Sequence, residues 1–207
     1  MKTLYAVAGA LLLACSLAAS AEVQSSCVGT LDAPLLPRAD LTIHARPAGL
    51  EIVGTDKEVL HVTCKTDDPE RAQQVHLEFS GGSGSGTLRI EGPPTHHGDL
   101  QIRVEVPRRT NLRVDMGAGE VKVEDVAGDK EISLYAGQIT ISSAHDWDYQ
   151  RVDASVDIGE VNAAAYHVDK GGFFRSFTRK TDQGEYRLYA HVMTGQIDLV
   201  GKAEPAE

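Results

Sequence analysis

The sequence predicts an all-β protein built as a β-solenoid, a β-helix-like stack of short strands, with an antiparallel β N-terminal part. Three observations lead there. Apolar residues alternate with polar ones in short runs through most of the chain, as in Ile102, Val104 and Val106, and this period of two belongs to half-buried strands. A unit of strand, glycine, strand recurs, at Gly119, Gly137, Gly159 and Gly195. The spacings between these glycines are 18, 22 and 36 residues, the last being twice 18, which suggests a degenerate coil near Gly171 to Arg179. Coils of about 20 residues bury too little alone, and stacking them makes a continuous core. The same spacings also suit a β-sandwich of hairpins, which stays as the alternative fold.

With 207 residues, 42% hydrophobic and 24% charged, the composition fits one globular domain with a small appendage. Residues 1–21 read as a signal peptide, with Lys2 as the positive region, Leu4 to Leu17 as the apolar core and Ala19-Ser20-Ala21 as the cleavage site. A second reading takes Leu12-Leu13-Ala14-Cys15 as a lipobox that anchors the protein through a lipid on Cys15. The apolar run is too short for a membrane span, and no later segment approaches that length. The expected location is periplasmic or extracellular. Loss of Lys2 takes the formal charge from -10 to -11, and so acidic a chain disfavours nucleic acid and anionic lipid as partners through charge alone.

Residues 22–39, with Pro34 and Pro37, are expected to be an irregular lead-in, residues 40–201 a single all-β domain, and residues 202–207 a flexible tail. Cys27 and Cys64 form an even pair in an exported chain, and a disulfide is their expected state. It pins the lead-in to the first strands. The runs around Leu41 and Ile43, Leu50 and Ile52, and Val59 and Val62 read as an antiparallel meander, separated by Pro47, Gly49 and Gly54-Thr55-Asp56. Thr66 to Arg71 is a polar turn or one helical turn. Val75, Leu77 and Phe79 then alternate inward along a strand. Gly81 to Gly86 lacks the Lys-Ser or Lys-Thr of a phosphate loop and the aspartate of a calcium repeat, and is read as a hairpin connection.

His96, His97 and Asp99 have metal-ligand chemistry but alternate in direction along an extended chain, so no metal is assigned. Nothing in the chain calls for a cofactor. Asp115, Glu120, Glu124, Asp125 and Asp129 alternate with apolar residues or sit in turns, and are read as a solvated acidic face rather than paired catalytic acids. Ser142, Ser143, His145 and Asp146 have triad residue types without a nucleophile elbow around either serine. Phe173, Phe174 and Phe177, with Arg175, Arg179 and Lys180, form an aromatic and basic patch. Phe173, Phe174, Arg175 and Phe177 are the candidate partner-binding residues, with covering of the open end of the stack as the competing role.

The run VEVPRRTNLRVDMGAGEVKVEDVAG, the later glycine units and GGFFRSFTRKTDQGEYRLYAHVMTGQIDL resemble the bacterial putative-adhesin (head-GIN-like) family, a domain of unknown function, over roughly Asp40 to Val200. The resemblance implies a β-solenoid in exported or membrane-attached proteins and carries no catalytic residues over. Departures are the insertion at Ala144 to Tyr149 and the interrupted coil after Val168. The functional expectation is a non-enzymatic, adhesin-like structural or interaction module of the cell envelope, with an envelope glycan or protein as partner. The alternative is a carbohydrate-active enzyme on a β-helix.

Overall fold

The structure, a computed structural model, describes residues 21–46, 48–93, 100–142, 148–166 and 168–200. The signal segment up to residue 20, the loop with His96, His97 and Asp99, the cluster from Ser143 to Asp146 and the C-terminal tail lie outside these residues. Strands dominate, joined in one large mixed sheet, and the protein is all-β.

The centre of the sheet is a set of long strands that each change direction once. Strands β9 (Asn111–Glu124), β10 (Lys130–Ile141), β11 (Tyr149–Ala163) and β13 (Tyr186–Leu199) lie parallel in the spatial order β9, β10, β13, β11. Their glycines are in exact register, Gly119 beside Gly137, Gly137 beside Gly195, and Gly195 beside Gly159. All four have positive φ, between 126° and 148°. A Cβ on Gly137, Gly195 or Gly159 would overlap the carbonyl of the neighbouring glycine, so only glycine permits both the turn and the approach. The corner is thus written into the sequence once per strand.

On each side of the corner the apolar residues of successive strands align. Ile43, Val114, Ile132, Ala190 and Ala154 form one buried row, and Ile52, Val123, Ile141 and Leu199 belong to the second arm. Full burial of one such Ile, Leu or Val side chain contributes about 1.5–3 kcal/mol. The lateral rows, rather than any one strand, therefore hold the stack together.

The N-terminal region departs from the expected meander. Strands β3 (Asp40–Ala45) and β4 (Ala48–Thr55) both run parallel to β9, one against each arm, so together they form a further two-armed layer. The antiparallel part lies outside them. On one arm β3 pairs with β7 (Ser85–Glu91), which continues antiparallel to β6 (His76–Gly82) and then to β1 (Ala21–Ser26). On the other arm β4 pairs with β8 (Leu100–Pro107), followed antiparallel by β5 (Val59–Thr66) and β2 (Leu31–Pro34). Short apolar runs with turns between them suit both a meander and this split layer, and the partner strands come from residues 85–107, far along the chain.

The lead-in is not irregular either. It supplies β1 and β2, and Leu31, Ala33 and Leu35 alternate into the core despite Pro34. Between these strands Cys27 is disulfide-bonded to Cys64 of β5, with a Cα–Cα distance of 5.1 Å. Because β1 ends one branch and β2 and β5 end the other, the bond ties the two branches. The glycine-rich stretch is the hairpin between β6 and β7, where Gly82 pairs with Ser85. Helix α1 (Pro69–Gln74) follows Asp68, whose carboxylate accepts hydrogen bonds from the backbone N–H groups of Glu70 and Arg71 at 3.0 and 3.1 Å.

The degenerate coil expected near Gly171 is β12 (Val168–Lys180), reached through a 3-10 turn at Ala164–Tyr166. It runs back antiparallel along β11 and, among the described residues, pairs with no other strand. The next strand, β13, then enters between β10 and β11. Identical corner glycines give each strand the same interface, so periodicity alone does not specify their spatial order.

One polar pair lies inside. Lys130 is 2% exposed, and its Nζ donates hydrogen bonds to the Gly128 carbonyl at 3.1 Å and lies 2.5 Å from the Tyr149 hydroxyl. Burial pushes the lysine down to about 7, against the pull of Asp148 and Asp129. Burial likewise drives the Tyr149 phenol well above its ordinary range.

Candidate functional site

The outward side of the first arm is a flat polar face whose side chains repeat at the strand spacing of about 4.8 Å. One row across it reads Asp40, Asn111, Asp129, Arg187, Arg151 and Lys180. The next reads Thr42, Arg113, Glu131, Tyr189, Asp153 and Thr178. Tyr189 is 43% exposed, since it points away from the core between the buried Leu188 and Ala190.

Two hollows meet at Arg187 and Tyr189. One, of about 430 Å³, is edged by Asp40, Asn111, Arg113, Asp129 and Glu131. The other, of about 650 Å³, is edged by Gln150, Arg151, Asp153, Lys180 and Asp182. The polar groups are held by their neighbours. The Arg113 guanidinium lies 2.5 Å from the Glu131 carboxylate, Asn111 donates to Asp40 at 2.9 Å, and Arg151 is paired with Asp153. An exposed aromatic ring flanked by fixed donors and acceptors is the chemistry that stacks on and hydrogen-bonds a sugar.

A third hollow, of about 750 Å³, runs along the glycine corner beside Glu120, Gln138, Gln196 and Glu160. These four residues form one row across β9, β10, β13 and β11. Behind it the Asp198 carboxylate is almost fully covered, accepting hydrogen bonds from the Gln138 amide at 2.7 Å and the Gln196 amide at 2.8 and 2.9 Å. The two glutamines are thereby oriented along the groove.

The acids expected on a solvated face are dispersed. Asp115 stands 3.5 Å from His44, Glu124 pairs with Lys122 at 2.5 Å, and Asp129 accepts the backbone N–H of Arg187 at 2.7 Å. Glu120 is exposed at the corner. Among the described residues no cluster of three His, Cys, Asp or Glu side chains could hold a metal.

A serine, histidine and aspartate do meet, at positions that no local sequence motif marks. Ser155 Oγ lies 3.0 Å from His191 Nδ1, and His191 Nε2 lies 4.0 Å from Asp157. They stand on adjacent strands in mid-sheet, where backbone N–H groups are spent on ladder pairing. No backbone pair is left there to form an oxyanion hole.

The aromatic and basic patch divides between two faces of β12. Phe177 is 8% exposed, with its ring 5.1 Å from that of Tyr166, and Arg179 lies 5.0 Å over the same ring. Phe177 is therefore packed in the core. Arg175 is exposed, and the side chains of Phe173 and Phe174 lie outside the described residues. Lys180 faces outward and joins Arg151 and Arg187. Sequence reasoning missed Arg151, Arg187 and Tyr189 because they are neighbours only through the strand order.

A solved protein shares this fold. It is described as a putative cell adhesion protein from Clostridium sporogenes ATCC 15579, with a TM-score of 0.53 at 12% identity over 84% of this chain and 99% of that one. At that identity the likeness concerns the fold. No family model and no curated protein matches the chain.

Proposed function

We propose that this chain is an exported, non-enzymatic module of the cell envelope, adhesin-like in role, whose two-armed parallel layers are a short β-solenoid presenting a glycan-binding face. The observation that carries this reading is Tyr189, exposed between two hollows whose rims are hydrogen-bonding side chains. The Cys27–Cys64 disulfide fits an oxidising compartment outside the cytoplasm. Among the described residues no helix is long and apolar enough to cross a membrane. The fold shared with a protein described as a putative cell adhesion protein supports the same role.

The carbohydrate-active enzyme reading needs two acids close together. In the corner groove Glu120 and Glu160 are separated by three strand steps, about 14 Å at the usual spacing. Glycosidases hold their pair about 5–10 Å apart. In the corner groove this supports binding over turnover.

The deciding experiment is retention of purified mature protein on a panel of cell-envelope glycans. Retention is expected, with loss on Tyr189→Ala and no loss on Tyr135→Ala, which removes a still more exposed ring from the corner region. Absence of retention across the panel, or equal retention by both variants, overturns the proposal.

A further inference from the structure

Arg187, Arg151 and Lys180 are direct neighbours across β13, β11 and β12, and all three are exposed. At the strand spacing they set three cations within about 10 Å on one row. Like charges opposite one another on a sheet are destabilising. In a chain of formal charge -10 an acid could stand at any of the three positions, and none does.

The same row treats its acids differently. Asp40 accepts a hydrogen bond from the Asn111 amide at 2.9 Å, the Asn111 carbonyl accepts the Asp129 N–H at 3.1 Å, and Asp129 accepts the Arg187 N–H at 2.7 Å. The acidic half is closed on itself. In the basic half Arg151 pairs with Asp153, while among the described residues Arg187 and Lys180 have no ion pair. These two point into the hollow of about 650 Å³ that also exposes Tyr189, with Asp182 on its rim.

We infer that this hollow binds an acidic polysaccharide, one sugar ring lying on Tyr189 and its anionic groups held by Arg187 and Lys180. The inference rests on the glycan-binding reading and adds the charge of the ligand. Guanidinium and ammonium groups bind carboxylate and phosphate through charge-assisted hydrogen bonds. The net negative charge of the whole chain opposes the ligand only weakly at contact range, because exposed charges beyond about 10 Å are screened at physiological salt. Affinity should therefore fall as salt rises.

The test compares polygalacturonate with neutral dextran by isothermal titration, on the mature disulfide-bonded protein, at low and at physiological ionic strength. Polygalacturonate is expected to bind more tightly than dextran, and more so at low salt. Arg187→Gln and Lys180→Gln are each expected to weaken it by about threefold to tenfold, in the range of one exposed charge-assisted contact. Both positions are exposed and removing one of three adjacent cations relieves repulsion, so unchanged circular dichroism and an equal or higher thermal midpoint accompany that loss. Unchanged affinity in the double variant overturns the inference. Binding of dextran equal to that of polygalacturonate, lost in Tyr189→Ala but not in the cation variants, overturns it while leaving the glycan-binding face in place. Binding of neither polymer, together with retention on another glycan, overturns it in the same way.

Discussion

Lys130 and Tyr149 meet in the core with 2.5 Å between the ammonium nitrogen and the phenol oxygen, and with the nitrogen 5.0 Å from the centre of the tyrosine ring. The lysine is buried, and its pKa falls to about 7. In the unfolded chain it titrates near 10.5. Between these values the unfolded state binds more protons than the folded one, so stability rises with pH through that window. Below about pH 7 the full cost of the buried charge is present, on the order of 5 kcal/mol. Lys130→Met is expected to flatten the rise in thermal midpoint between pH 7 and 10. Parallel midpoint curves for the two proteins would show that the pair does not couple to folding.

The corner glycines make a sharper demand. Alanine at Gly137 must adopt a positive φ and displace the Gly119 carbonyl, which on the scale of strained backbone positions and overpacking should cost at least 3 kcal/mol. Gly117→Ala, two residues before a corner glycine and facing open space, is expected to stay within about 1 kcal/mol of the parent. Urea unfolding midpoints compare the two. Equal effects would remove the steric account of the corner.

Reduction of Cys27–Cys64 frees a loop with a sequence separation of 37 residues. The chain-entropy model assigns about 4 kcal/mol to such a closure. Cys27→Ala is expected to lower stability by up to that amount in denaturant titration, and to loosen β1 and β2 first by hydrogen exchange. Uniform exchange across the sheet would contradict the role of the bond as a tie between the branches.

Phe177 and Arg175 share β12 but differ in surroundings. Phe177→Ala removes a ring packed on Tyr166 and is expected to cost about 3 kcal/mol, whereas Arg175→Ala at an exposed site is expected to be near neutral. Thermal unfolding of the two variants separates a core role from a surface role.

Much of the fold was legible because alternation and corner glycines are local signals. Ile132 with Leu134 and Ile139 with Ile141 announce two inward runs around Gly137, and both are buried as read. The hairpin at Gly81 to Gly86 was equally plain. What was not legible depends on pairing over distance. Leu41 and Leu50 read as neighbouring meander strands, yet each lies parallel to β9 some 70 residues on, as Leu41 beside Leu112 and Leu50 beside Val121. The candidate site failed to appear for the same reason. Lys180 stood out in a basic run, but Arg151 and Arg187 acquire their meaning only when three strands bring them side by side.

The placement of β13 between β10 and β11 bears on how the molecule assembles. During synthesis Tyr149–Ala163 and Val168–Lys180 emerge first and can form their own antiparallel ribbon, yet their parallel partner, Tyr186–Leu199, comes later. The same late segment is what joins that ribbon to Lys130–Ile141. The sheet therefore cannot grow layer by layer in the order of translation, because one of its inner strands follows the edge strand in the chain. Tyr186–Leu199 is the link between the ribbon and the earlier strands, and shortening the chain before Tyr186 is expected to leave the two-stranded ribbon detached rather than give a smaller version of the whole.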